Sequence, residues 1–186
     1  MVNCIIFYNR GGFTMFKYER RVRSEVSFHE DEVKLAKTMM DKLRTTVEFL
    51  YYLMEHRGKL SFTMIMISAD ELKLEHLLQK WKRQTDVLIE IDEINNVYVI
   101  ICQSTDKKGG EKFGEILISN ISMHGASTTY CVEAELKNTV HSVQEVVFNM
   151  VERYIEIKQE KKSNKVFFTE FKKKEEVYSD IKYHNL

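Results

Sequence analysis

Residues 83–105, "RQTDVLIEIDEINNVYVIICQST", decide how the chain is read. An arginine and an aspartate three positions apart lead into an apolar run, a polar interval follows, and a second apolar run closes the stretch. Both runs are rich in Val and Ile, and the interval holds Asn95 and Asn96, which tolerate left-handed backbone. The stretch therefore predicts a β-hairpin with strands near 86–92 and 97–103.

Working outward, "LSFTMIMI" (60–67) reads as a strand and residues 70–82 as a helix. On the other side come a helix from Glu111, a strand in "ASTTYCVEAEL", a long helix in "SVQEVVFNMVERYIEIKQEKK" and a last strand in "KVFFTEF". Strands and helices alternate around one antiparallel hairpin. Runs such as "TMIMI" and "VYVIIC" are apolar on both sides, as expected of strands covered on both faces. The fold class is α/β (α+β), a sheet with helices packed against it.

Composition narrows the function. A chain of 186 residues with 44% hydrophobic content is long enough for one core, burying roughly 70% of its unfolded surface. Lys+Arg and Asp+Glu are both 28, so no net positive charge attracts a phosphate backbone, and general nucleic-acid binding is not expected. No apolar run reaches the ~18 residues that span a bilayer, and the first residues lack a signal-peptide pattern. A cytoplasmic protein without membrane insertion is expected. Cys4, Cys102 and Cys131 are odd in number and widely spaced, which fits buried thiols rather than a disulfide framework or metal site. The six histidines form no HxH or HxxxH pair, and no cofactor motif is present, so neither metal nor cofactor is expected.

The N-terminal part divides in two. "NCIIFY" and "FTMFKY" flank "NRGG", the signature of a hairpin within residues 1–26. A helix follows over 27–58, opened by a capping box of Ser27 and Glu30 and ended by Gly58. Within it Val33, Ala36, Met40, Leu43, Val47, Leu50 and Met54 keep a 3-4 spacing, the seam of a coiled coil. That spacing predicts a dimerising stalk and a homodimer, with these seven residues in the interface. The alternative is that the same stripe packs on the chain's own sheet, since Leu35, Met39, Phe49, Tyr51 and Leu53 widen it. Residues 59–171 form the main domain and 172–186 a charged tail.

The order of elements, with "RQTD" entering a hairpin, "VYVIICQSTD" closing it and a late "VERYIEIKQEKKSNKVFF", resembles the GGDEF family, whose palm-like, ferredoxin-like domains make cyclic di-GMP from two GTP. The resemblance covers roughly residues 30–170 and implies a mixed sheet flanked by helices. It also marks departures. Where the family carries a metal-binding Asp at the end of its first strand, "SADELK" has Ser68, followed by Asp70 and Lys73. A hydroxyl is a poor ligand for Mg²⁺, which takes hard anionic oxygens. Fifteen residues separate Ile67 from Arg83, too few for the family's two helices. No alignment of "EIDEINNVY" supplies the two hairpin glycines, and sliding the register brings only Asp92 and Glu93 to the acidic positions. Lys158 and "KSN" only loosely echo the end of the family's last helix. These departures predict a protein that is not an enzyme, an interaction or scaffold module in signalling with a protein partner.

The resemblance implies a second role for Arg83 and Asp86. In the family an RxxD before the hairpin binds cyclic di-GMP, the Arg gripping O6 and N7 of guanine and the Asp accepting from N1–H and N2–H. Such a site needs no metal, and it makes cyclic di-GMP a candidate ligand. Trp81, just before it, is either a half-buried core residue or a platform for a base. The same R-x-x-D also fits an internal salt bridge at a helix-to-strand junction. The glycines of "KKGGEKFG" read as loop or as an anion-holding helix start.

Overall fold

The computed structural model describes residues 30–58 and 60–171. The N-terminal hairpin, the Ser27 cap, Cys4 and the charged tail expected from the sequence lie outside the described residues. The elements run α1 (Glu30–Arg57), β1 (Phe62–Ala69), α2 (Glu75–Trp81), β2 (Val87–Asp92), β3 (Val97–Gln103), α3 (Lys107–Met123), β4 (Thr129–Leu136), α4 (Val143–Gln159) and β5 (Val166–Phe168).

The five strands make one mixed sheet in the order β2-β3-β1-β4-β5. β1 is antiparallel to both neighbours, with Ile65 opposite Ile100 on β3 and Glu133 on β4, while β5 adds parallel to β4. The first four strands with α2 and α3 are thus two split β-α-β units, the ferredoxin-like arrangement.

The pleat sends alternate side chains of each strand to opposite faces. On one face Met64, Met66, Val99, Ile101, Val132 and Ala134 meet α1 and α4; on the other Ile65, Ile67, Ile100, Cys102 and Cys131 meet α2 and α3. Two layers of helix around a central sheet are what strands apolar on both sides require.

α1 is not a stalk. Ala36, Met39, Leu43, Val47, Leu50 and Met54 are buried in the core shared with α4 and the sheet. Ala36, Leu43, Val47, Leu50 and Met54, five of the seven seam residues, are therefore covered by the chain itself and are not available to a second copy. The physical reason is the face of β1, β3 and β4 beneath them, which would otherwise lie open. Met40 stays half-buried and Val33 is 57% exposed.

Two helix starts differ from expectation. α2 begins at Glu75, because residues 70–74 form a bend held by Asn96: its Nδ2 donates to the Ala69 and Leu72 carbonyls, and its Oδ1 accepts from Leu74 N. Asn96 itself is left-handed, φ 55°, as the turn chemistry of the hairpin predicts. α3 begins at Lys107, capped by Asp106, whose side chain accepts from Gly109 N. Gly109 and Gly110 are therefore helix and not loop. At Gly110 a Cβ would run into the Glu133 carboxylate and the Thr63 methyl, so the absence of a side chain lets the helix lie close on β1 and β4.

Candidate functional site

The junction between α2 and β2 is a tight turn, with Asp86 N donating to the Arg83 carbonyl at 3.0 Å. That turn brings the two side chains of "RQTD" together. Arg83 Nε donates to Oδ1 and Oδ2 of Asp86 at 3.1 and 3.0 Å, Nη2 donates to Oδ1 at 2.8 Å, and the Arg83 backbone N donates to Oδ2 at 3.1 Å. Nη2 also donates to Thr105 Oγ1 at 2.7 Å and to the Gln103 carbonyl at 3.1 Å. The fork is thus fixed to the end of β3 as well as to its own turn. Nη1 carries none of these bonds.

The two partners differ in access. The Arg83 side chain is 52% exposed, while that of Asp86 is fully covered. The Asp86 hydrogen bond raises the guanidinium pKa above its ordinary value, so the cation is fixed in charge and in place. Asp86 orients Arg83 and does not itself face solvent. The expectation that it accepts from guanine is corrected accordingly, because its oxygens are spent on Arg83.

Arg83 stands at the mouth of a cleft of about 500 Å³ lined also by Ser61, Cys102, Ser104, Thr105 and Asp106. Ser104 is left-handed, φ 50°, and exposed. Thr105 is fixed beneath it: Thr63 Oγ1 donates to its carbonyl at 2.9 Å, and its own hydroxyl donates to the Gln103 carbonyl. Cys102 is buried, and burial followed by the nearby Asp86 charge pushes its thiol up to about 12, so it is a neutral wall and not a nucleophile. Trp81 does not line this cleft. It is half-buried against the α2–α3 core, edge-on to the His124 ring at 5.2 Å between centroids, which is the core role of its two readings.

The end of β1 and the hairpin turn hold other residues that the sequence resemblance singles out. Ser68 is buried, its hydroxyl 2.7 Å from the Tyr154 hydroxyl. Asp70 is exposed. Burial alone would raise the Asp92 carboxyl, but bonds from the Asn95 side chain and backbone and from Ile94, with Lys34 nearby, hold it below the ordinary carboxylate range. Asn95 N donates to Asp92 Oδ1 at 3.0 Å and Asn95 Nδ2 to Oδ2 at 2.6 Å. Among the described residues no group of three or more His, Cys, Asp or Glu side chains is placed to hold a metal ion. With Ser68 tied to Tyr154 and Asp92 closing the hairpin turn, these donors do not fit a divalent cation.

Asp106, Thr105 and Tyr154 were not legible as site residues from the sequence. Only Asp106 carried a signal, an N-cap residue ahead of a helix. Among the described residues no helix is long and apolar enough to cross a membrane.

No family model and no curated protein matches the chain. Among solved structures it is similar to the active GGEEF domain of a diguanylate cyclase from Vibrio cholerae, at 12% identity and a TM-score of 0.52, over 73% of this chain and 96% of that one. What carries over at that identity is the fold. That structure is of a domain described as active, which corrects the expectation that the chain is not an enzyme. The helices, the mixed five-stranded sheet and the position of the hairpin together give the described part of this chain a GGDEF-like fold.

Proposed function

We propose that the chain is a GGDEF-type signalling domain that takes a guanine dinucleotide of the cyclic di-GMP kind in the cleft beside Arg83. One observation carries the reading. A guanidinium, half open to solvent and anchored from behind by a covered carboxylate, stands at the rim of a cleft of about 500 Å³, within the size range of small-molecule sites. Preorganising the cation removes much of the side-chain ordering that binding otherwise costs. The hydroxyls of Ser61, Ser104 and Thr105 supply neighbouring polar groups for phosphate and ribose oxygens. Since Nη2 and Nε are engaged at home, Nη1 is the contact offered without rearrangement. A bidentate grip on guanine requires the guanidinium to give up its bond to Thr105.

Calorimetric titration of the full chain with cyclic di-GMP, cyclic di-AMP and GTP in parallel tests this. Binding of the guanine dinucleotide in preference to the adenine one is the expected result. Absence of heat with all three overturns it.

A second reading, an interaction module, is favoured by a separate observation. Val33 and Phe148, 57% and 58% exposed, flank an apolar groove between α1 and α4 on the other face of the sheet.

A further inference from the structure

Glu133 lies on β4 between Ile65 of β1 and Phe168 of β5, is fully buried, and has no hydrogen-bond partner for either carboxylate oxygen. Like Cys131 two residues earlier, it points to the α3 side of the sheet. There its carboxylate and the Thr63 methyl fill the space against Gly110 in the first turn of α3. Such a group is at ease while it keeps its proton. Once ionised it needs a donor or water, and this seat supplies neither.

The groups that face it set when the proton leaves. Burial first, then the charges of Glu111 on α3 and Glu135 on β4, hold the proton on; Asp106 adds to this, and Lys107 opposes it. The Lys107 ammonium stands 4.1 Å from the centre of the Phe168 ring on β5. Cys131 on β4 and Cys102 on β3 stay neutral because they are buried, and Thr63 on β1 carries no charge.

A chain of hydrogen bonds runs from this seat to the cleft. Thr63 Oγ1 donates to the carbonyls of Thr105 at 2.9 Å and Asp106 at 3.3 Å. Asp106 in turn accepts from Gly109 N at 2.8 Å at the start of α3, and Thr105 Oγ1 accepts from Arg83 Nη2 at 2.7 Å. We propose that loss of the Glu133 proton is a switch for Arg83: the ionised carboxylate turns towards water and Lys107, the first turn of α3 lifts from Thr63, and the Thr105–Asp106 corner moves with it and releases Nη2. The start of α3 is the two-state element that both ends bias. The hydrogen that Nη2 gave to Thr105 then stands beside Nη1, as a bidentate grip on guanine requires. On the reading that the cleft takes a guanine dinucleotide, binding therefore strengthens as pH rises through the Glu133 titration, and the dinucleotide in turn favours ionised Glu133.

Nuclear magnetic resonance of the full chain without ligand, between about pH 6 and pH 8.5, tests the switch. The carbon resonances of the Thr105 methyl and of Arg83 Cζ are expected to follow one titration curve in wild type and to stay flat in Glu133→Gln. Glu111→Gln is expected to move the same curve to lower pH, because a charge that opposes ionisation is gone. Thermal melting checks that both variants are folded, and Glu111→Gln carries the test by itself if Glu133→Gln is not. An Arg83 Cζ that does not move in wild type overturns the proposal, as does a curve that persists in folded Glu133→Gln or one that Glu111→Gln leaves in place. Calorimetric titration of cyclic di-GMP at the two pH values reads the coupling to binding. Affinity is expected to be about fivefold tighter at the higher pH in wild type, the low end of couplings between sites, and equal at both in Glu133→Gln. Equal affinity at both in wild type overturns the coupling. Absence of binding at either pH overturns the dinucleotide reading alone, since the resonances without ligand decide the switch.

Discussion

Asp86 and Glu133 are both closed off from solvent, yet the fold treats them in opposite ways. Asp86 accepts from the guanidinium and the backbone of Arg83, and so a covered charge is paired with a cation that cannot lose its proton. Glu133 sits on the central β4 strand beneath α3, and neither of its carboxylate oxygens has a hydrogen-bond partner. Burial first, then the charges of Glu111 and Glu135, push it up to about 8, with Lys107 opposing and Asp106 adding to the rise. A buried carboxylate is tolerated in two forms, ionised beside a fixed cation or neutral with its proton kept. Asp86 lies against such a cation and serves a cleft. Glu133 takes the second, and couples the seat of α3 to pH.

Removing the paired carboxylate destabilises the fold at any pH. Asp86→Ala strips Arg83 of its anchor and leaves the Arg83 backbone N–H without its acceptor, destabilising the fold by about 3 kcal/mol. This is the low end for a buried pair, because the guanidinium left behind can turn to water. Urea denaturation of the variant against wild type measures it.

For Glu133 the sign runs the other way. An acid whose folded pKa lies above its unfolded one keeps its proton in the native state while the unfolded chain gives it up. Its contribution therefore erodes as pH rises from the ordinary glutamate value towards 8, by roughly 1.4 kcal/mol per pH unit at most, and levels off above. Glu133→Gln removes that slope. The variant is expected to equal wild type near pH 5 and to exceed it at pH 8, in denaturation curves taken at both. A difference between the two proteins that does not change with pH breaks the comparison.

Gly110→Ala is the smallest change and sharpens it. A methyl group there meets the Glu133 carboxylate and the Thr63 methyl, so overpacking outweighs the gain in helix propensity by about 1 kcal/mol. Shortening the acid to Ala in the same chain is expected to restore part of that loss, a coupling that a double-mutant cycle on the two positions reads directly.

Much of this architecture is written in local pattern. The hairpin strands follow from Val and Ile runs, and the turn from an asparagine that accepts left-handed backbone. The residues that departed from expectation are those whose state depends on distant partners. The seam of α1 reads equally well as a coiled coil or as a sheet-facing stripe, because periodicity names an apolar face and not what lies against it. The 70–74 stretch has helix-compatible composition, but Asn96, more than twenty positions away, takes its backbone groups. Gly109 and Gly110 look like loop until Glu133 and Thr63 are placed beneath them. At the candidate site, the pairing of Arg83 with Asp86 was legible from spacing. The covering of Asp86 was not, since it comes from the packing of the junction against the end of β3.

The account's central claim is that the anchored fork of Arg83 recognises a guanine dinucleotide, and titration of cyclic di-GMP into wild type and Arg83→Lys, checked to have the same thermal midpoint, tests it most directly. Lysine keeps the charge beside Asp86 but loses the planar fork. The account predicts saturable binding to wild type and affinity weaker by at least about tenfold in the variant, the equivalent of roughly 1.4 kcal/mol. Equal affinity in the two proteins, or no binding to wild type, would contradict it.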